Sequence, residues 1–178
     1  MIEMQLGGLG FDPRNMSPIV LLRDTEERNF LPIWIGMFEA AAIAMELQEF
    51  TPPRPMTHDL LVGIIDVLGA EVDRIIITEI KEDTFYSVVE LLVPAGSHPD
   101  AEKKEDSENV EIIRLDTRPS DAIAIAVRTD SPVFVSEQVM YKAKMVNAEK
   151  DDEETKKFKK FIEDINPEDF SKYYNQKQ

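Results

Sequence analysis

The sequence predicts an α+β protein in which a mixed or antiparallel β-sheet carries helices packed on it, followed by a C-terminal helix. Three observations indicate this class. Short apolar runs typical of strands recur from the first residues to about residue 135. Helical patterns interrupt these runs, and two of them are rich in alanine. The chain has 178 residues and no cysteine, a length that suffices for one domain with a core of its own.

The first part of the chain predicts a group of strands and one helix. Strands are expected over residues 2–6, 18–23 and 31–35. The glycine-rich stretch 7–10 is expected to form a loop after the first of them. A helix is expected over residues 37–50, with Glu39 in its first turn, where the helix dipole favours an acid. Closely spaced prolines over residues 52–55 end this helix.

A second helix is expected over residues 58–68, with Thr57 as its N-cap and Gly69 after its end. Its apolar residues recur with helical spacing, which predicts one buried face. These residues are Leu60, Leu61, Ile64, Ile65 and Leu68.

The remaining pattern predicts a hairpin, a long loop and a strand–helix–strand succession. Strands are expected over residues 72–80, 84–93, 110–115 and 133–135, and a helix over residues 119–128. Residues 94–109 contain no aliphatic side chain larger than alanine and many charges, so we expect a mobile surface loop without a function of its own.

The chain is predicted to consist of one domain over residues 1–143 and a terminal segment over residues 144–178. Residues 144–150 are polar and predict a linker. An amphipathic helix is expected over residues 151–165, because its four large apolar residues share one face. A polar tail follows this helix.

The two alanine-rich helices begin alike, with Glu39 before one alanine run and Asp121 before the other. Each follows a strand after a short turn, which suggests an internal strand–turn–helix duplication; the alternative is that alanine and isoleucine are simply common in buried helices. Both helices are apolar nearly all round, so each needs cover on two sides. The cover is expected from the other helix or from a second subunit, which predicts a homodimer.

Composition limits the classes of function. Acidic residues outnumber basic ones by 35 to 20, for a net charge of −15 and an isoelectric point near 4.5. A chain this acidic repels polyanions at long range, so nucleic acid or an anionic membrane would have to be bound at a local basic site. The first residues lack the basic start of a signal peptide, and no apolar stretch is long enough to span a bilayer. We therefore expect a cytoplasmic protein without membrane contact.

Residues 116–121 hold the densest polar cluster at the junction between two predicted elements. Asp116 ends a strand and Asp121 opens a helix, with Arg118 between them. Two such carboxylates are suited to bind Mg²⁺ or Mn²⁺ while the arginine contacts a phosphate. The alternative is that Asp121 caps its helix, three positions after the N-cap.

His58 is the second candidate. It lies at a predicted helix start, beside Asp59 and shortly after Arg54. A histidine in this place is suited to act as a general base or to contact a phosphate, although helix capping explains the segment equally well. No glycine-rich phosphate loop, H-E-x-x-H zinc motif or G-x-S-x-G elbow occurs in the chain.

Four segments together resemble one known family, the bifunctional nuclease domain family. They are residues 31–36 (LPIWIG), 54–60 (RPMTHDL), 116–122 (DTRPSDA) and 132–136 (PVFVS). The resemblance covers about residues 2–142, in order and at suitable spacing. It implies an α+β fold, a frequent dimer and, for some members, nuclease activity on both DNA and RNA.

The leading functional hypothesis is a metal-assisted nuclease. In it Glu39, Asp116 and Asp121 hold Mg²⁺ or Mn²⁺, with His58, Asp116 and Asp121 as the catalytic residues. Arg54 and Arg118 contact the phosphate, and His58 or a metal-bound water serves as base. The rival hypothesis is a non-catalytic dimeric binding or regulatory module that uses the same pocket. Under the nuclease hypothesis the segments around Glu39, His58 and Asp121 should meet, with His58 and Asp121 within roughly 15 Å of each other.

Overall fold

The computed structural model describes residues 1–12, 16–26, 29–104 and 109–148, with side chains described as far as residue 143. Within these residues the strands are β1 (Ile2–Phe11), β2 (Pro18–Asp24), β3 (Phe30–Trp34), β4 (Glu71–Lys81), β5 (Thr84–Pro94), β6 (Glu102–Lys103), β7 (Val110–Thr117) and β8 (Val133–Val135). The helices are α1 (Met37–Leu47), α2 (Thr57–Val67), α3 (Pro119–Thr129) and α4 (Glu137–Ala148).

The described strands form one mixed sheet in the order β3-β2-β1-β8-β4-β5-β7-β6. The pairings are antiparallel except between β4 and β8, which run parallel. The three-residue strand β8 lies in the middle: Val133 pairs with Met4 of β1 on one side and with Ile75 of β4 on the other. The predicted α+β class is therefore confirmed.

The glycine-rich stretch does not form the expected loop. β1 continues through Gly7, Gly8 and Gly10, with an irregularity in its pairing with β2 between Leu6 and Gly8. A Cβ at Gly7 would lie only 3.2 Å from the Leu21 carbonyl oxygen and from the Arg23 side chain. The loop prediction was wrong because these glycines permit a β-bulge and a close approach of β2 rather than a chain reversal.

The alanine-rich helices form the centre of the helical layer. α3 packs against α1, α2, β4 and β5, and its residues from Ala122 to Ala126 are all buried. The buried residues of α1 are Ala40, Ala41, Ile43 and Ala44. The first of the two predicted covers, the other helix, is confirmed by the contact between α1 and α3, and cover by a second subunit stays a prediction. Duplication of the two strand–helix units stays a prediction.

Helix α2 differs from its prediction at both its start and its face. It begins at Thr57 with Met56 as N-cap, and Asp59 Oδ2 accepts the Met56 N–H at 2.7 Å. The cap contact thus comes from Asp59 rather than Thr57. Of the predicted apolar face, Ile65 is buried, whereas Leu60, Leu61, Ile64 and Leu68 are exposed. The face is apolar as predicted but points away from the core, because α2 rests on α3 and β4 at the edge of the helical layer.

Two segments predicted to be irregular contain regular structure. In the expected loop over residues 94–109, Glu102 and Lys103 form β6 and pair with β7. Residues 105–108 lie outside the described part of the chain. α4 runs to Ala148, so residues 144–148 continue a helix rather than begin a linker. Val139 and Met140 anchor this helix in the core. The predicted helix over residues 151–165 lies outside the described residues.

Among the described residues, none of the helices is both long enough and apolar enough to cross a membrane.

Candidate active site at three helix starts

The first turns of α1, α2 and α3 meet in one cluster of side chains. His58 Nε2 of α2 lies 3.2 Å from Asp121 Oδ1 of α3. Arg118, the N-cap residue of α3, donates from Nη1 to Glu39 Oε1 of α1 at 3.0 Å. The predicted convergence of these three segments is therefore confirmed, since the His58–Asp121 separation is far below the expected limit.

Local sequence specifies two of these helix starts, those of α3 and α1. Pro119 occupies the first position of α3, where its fixed φ suits a helix and its missing N–H costs nothing. Gly36 is the N-cap of α1, and the Glu39 carboxylate folds back over it so closely that an added methyl group would overlap with Oε2. The absence of a side chain at Gly36 thus leaves room for the Glu39 carboxylate in the position from which it bonds Arg118.

Arg118 joins the two carboxylates of the cluster. Its Nε lies 2.6 Å from Asp121 Oδ2 and its Nη2 lies 3.0 Å from Asp121 Oδ1, a bidentate pair. With the bond to Glu39, three of the five N–H donors of the guanidinium are used, and two remain. The side chain is 67% exposed, so these two donors are accessible from solvent. The hydrogen bonds from Arg118 to Asp121 hold the pKa of the guanidinium above its usual value.

Asp121 stays ionised although it is partly buried. Burial raises the pKa of its carboxyl, but the hydrogen bonds from Arg118 and His58 outweigh this effect and leave the pKa below its usual value. The side chains of His58 and Asp121 are 13% and 24% exposed. The cluster therefore presents an imidazole and a guanidinium that share one ionised carboxylate.

A second arginine holds the same three helices together beneath this cluster. Arg128 Nε donates to Asp59 Oδ1 at 2.7 Å, and its terminal nitrogens donate to the backbone carbonyls of Ala124 and Ala42. Its side chain is only 6% exposed. The hydrogen bond from Arg128 lowers the pKa of Asp59, although partial burial opposes the shift.

Two predicted site residues are not joined to the cluster. Arg54 is exposed and makes no hydrogen bond or ion pair with any residue that the structure describes. Asp116 is exposed in β7 and likewise has no such partner in the described ranges. Leu115 is paired with the buried Val89, so its side chain lies on the face of the sheet that carries the core. Because side chains alternate along a strand, Asp116 lies on the opposite face, together with Arg114. The short spacing from Asp116 to Asp121 does not bring the two carboxylates into contact.

A family model described as the bifunctional nuclease domain matches residues 20–148 of the chain. This match includes every residue of the cluster and more than half of the sequence. The chain belongs to the bifunctional nuclease domain family. The resemblance of its four motifs to that family is thereby confirmed.

Relatives of two kinds are similar to this chain. Uncharacterised proteins from two strains of Mycobacterium tuberculosis are 35% identical over 179 aligned residues, which cover 96% of this chain and 98% of theirs. A protein named bifunctional nuclease 1 from Oryza sativa subsp. indica is 29% identical over 123 residues, 69% of this chain and 34% of its own length. A bifunctional nuclease from Oryza minuta matches equally. Membership in this family suggests a function related to nucleic acid cleavage.

The metal ligands predicted for this bifunctional nuclease domain are not assembled. Among the described residues there is no group of three histidine, cysteine, aspartate or glutamate side chains that could hold a metal ion. Asp116 stands apart, and the carboxylates of Glu39 and Asp121 both bond Arg118. In this arrangement the residues do not fit Mg²⁺ or Mn²⁺, because Arg118 occupies the place between the two carboxylates.

Sequence reasoning missed Arg128 as the residue that positions the helices of this bifunctional nuclease domain. The available signal was an arginine at the end of an otherwise apolar helix, where a charged side chain needs either solvent or a partner. Its partner Asp59 was noticed only as a residue of the first turn of α2. The pairing itself spans 69 residues and follows from the fold, not from local sequence.

Proposed function

We propose that this bifunctional nuclease domain cleaves phosphodiester bonds of nucleic acid at the cluster formed by Glu39, His58, Arg118 and Asp121. The observation that carries the proposal is the contact of an imidazole and a guanidinium with one carboxylate at the start of three helices. The relatives named as nucleases support it, because the matched segment of this chain includes the whole cluster.

The phosphate is held by groups that offset the acidic charge of the whole chain. Arg118 offers two N–H donors to the oxygens of the phosphate. Helix N-termini add free backbone N–H groups and the positive end of the helix dipole. Arg54, exposed at the connection before α2 and without a described partner, contacts the backbone of the nucleic acid next to the cleaved bond.

His58 acts as the general base. In the tautomer that donates Nε2–H to Asp121, the lone pair of Nδ1 accepts the proton of the attacking hydroxyl or water. The new oxygen–phosphorus bond forms as the bond to the leaving oxygen breaks, and the proton passes from His58 to that oxygen. Asp121 orients both the imidazole and Arg118, and Glu39 holds Arg118 from the other side.

A nuclease assay on Asp121→Asn tests this proposal. The substitution keeps the size of the side chain but removes the charge that orients His58 and Arg118, so cleavage of a labelled oligonucleotide should fall at least tenfold. Asp66→Asn, an exposed position of α2 with the same loss of charge, is the matched control and should cleave like the wild type. Equal cleavage by both variants would identify a contaminating nuclease and contradict the proposal.

We also propose a homodimer, which suits both a nuclease and a module that binds without cleaving, and one observation supports it. α2 exposes a face formed by Leu60, Leu61, Ile64, Val67 and Leu68, and Val67 is 87% exposed. Folded monomers rarely leave so many neighbouring apolar side chains in water. The proposed occupant of this face is a second copy of the chain, since a two-fold contact needs only one self-complementary apolar patch.

Light scattering tests the dimer. The wild type should give about twice the chain mass of 20.3 kDa at micromolar concentration. Ile64→Glu places a charge in the centre of the face and should shift the mass to that of one chain. Gln48→Glu, outside the face, should leave the dimer intact. A wild type that scatters as a single chain at high concentration would contradict the proposed contact.

A further inference from the structure

We infer that Arg118 is the resident cation of the site, and that Glu39 and Asp121 form a divalent-ion site only when its guanidinium is removed. The inference deepens the proposed function, and it depends on that function only for its consequence that cleavage requires no added metal ion. Glu39 and Asp121, two of the three metal ligands predicted from the sequence, thus hold the guanidinium of Arg118 instead of a metal ion.

Three of the four carboxylate oxygens of Glu39 and Asp121 already face a hydrogen-bond partner on Arg118 or His58. Asp121 Oδ1 faces both Arg118 Nη2 and His58 Nε2, and Asp121 Oδ2 faces Arg118 Nε. Glu39 Oε1 accepts from Arg118 Nη1, and Oε2 lies close to the position that a Cβ on Gly36 would take. An ion coordinated by both carboxylates at the 2.0–2.6 Å of Mg²⁺ or Ca²⁺ would compete with Arg118 for these oxygens, and at Asp121 with His58 as well.

Charge leads to the same conclusion. The two carboxylates carry two negative charges, and the guanidinium between them supplies one positive charge at hydrogen-bond distance. A divalent ion placed there would lie beside the guanidinium, and the repulsion between like charges a few ångströms apart is strong in a partly buried site. The two cations therefore exclude each other.

Removing the guanidinium changes this balance. Glu39 and Asp121 would then face each other with uncompensated charge, and His58 would lie within 3.2 Å of Asp121. Two carboxylates and one imidazole are a donor set that suits Mn²⁺ better than Mg²⁺, because imidazole is a poor ligand for Mg²⁺. Mn²⁺ alone is consequently the probe of choice.

Titration of the full chain with Mn²⁺, followed by electron paramagnetic resonance of the free ion, tests the inference. Arg118→Ala should gain one Mn²⁺ per chain relative to the wild type, and the double substitution Arg118→Ala with Asp121→Asn should lose it again. Weak binding of Mn²⁺ to the acidic surface of the chain is measured on the control variant Asp66→Asn and subtracted. Arg118→Gln, which keeps a polar side chain, is the second variant should Arg118→Ala fold poorly, as judged by circular dichroism.

The outcomes separate the inference from the proposed function. The inference would be overturned if the wild type bound one Mn²⁺ and Asp121→Asn abolished this binding. It would also be overturned if neither Arg118 variant bound more Mn²⁺ than the wild type. The inference is supported if the wild type still cleaves in EDTA. If EDTA stops cleavage and Mn²⁺ restores it, the inference is overturned but the proposed function is not. Absence of cleavage under every condition contradicts the proposed function, and the Mn²⁺ titration still decides the inference.

Discussion

The His58→Ala variant is expected to cleave nucleic acid about a hundredfold more slowly than the wild type, or worse. His58 is the only imidazole of the cluster, and the carboxylates of Asp121 and Glu39 both bond Arg118. Without it, Arg118 can still hold a phosphate, but the groups left to take the proton of the attacking oxygen are carboxylates that bond Arg118, and these are weaker bases than an imidazole. Binding should therefore be retained while turnover is lost.

Cleavage under single-turnover conditions and binding to a non-cleavable oligonucleotide measure the two effects separately. The chain contains one other histidine, His98, which lies in the segment between β5 and β6 and has no contact with the cluster. His98→Ala is thus the matched control and should cleave like the wild type. A His58→Ala variant with normal turnover would exclude His58 as the base.

Arg128→Met should lower the free energy of unfolding by about 3 kcal/mol. Methionine preserves the buried aliphatic part of the side chain, so the loss comes from the hydrogen bonds. Asp59 loses its charged partner, and the carbonyl oxygens of Ala42 and Ala124 lose a donor. Three helices are loosened at once, because these partners lie on α1, α2 and α3.

Urea unfolding monitored by circular dichroism measures this change. Arg54→Met is the control, because Arg54 is exposed and without a described partner, and it should alter stability by less than about 0.5 kcal/mol. In a double-mutant cycle, Asp59→Asn should cost much less in the Arg128→Met background than in the wild type. Additive effects of the two substitutions would show that their contact does not contribute to stability.

Local pattern predicted most of the sheet. The strands expected over residues 72–80 and 84–93 occur as Glu71–Lys81 and Thr84–Pro94, since β-branched and aromatic residues flank a short charged turn. The starts of α1 and α3 were also predicted, whereas α2 begins one residue earlier than expected, at Thr57. Pro119, Gly36 and the acids of the first turns are local signals, and these signals specify where a helix begins.

The errors arise where long-range packing decides. Alternating or helical spacing shows that a face is apolar, but not whether anything covers it, so the face around Ile64 was predicted as buried. The glycines after Leu6 were predicted to form a loop because the close approach of β2 cannot be recognised in the sequence. Asp116 and Asp121 are close in sequence, yet the alternation of β7 directs Asp116 to the other side of the sheet.

The central place of β8 has a consequence for how the chain assembles during synthesis. β1 leaves the ribosome first and can pair with β2 and β3 at once, but its other edge stays open until residues 133–135 have emerged. The hairpin of β4 and β5 likewise forms early, and the free edge of β4 stays unpaired until the same three residues have emerged. A nascent chain thus carries two half-sheets with open edges, each able to pair with a neighbouring chain, until β8, the last of the described strands, joins them.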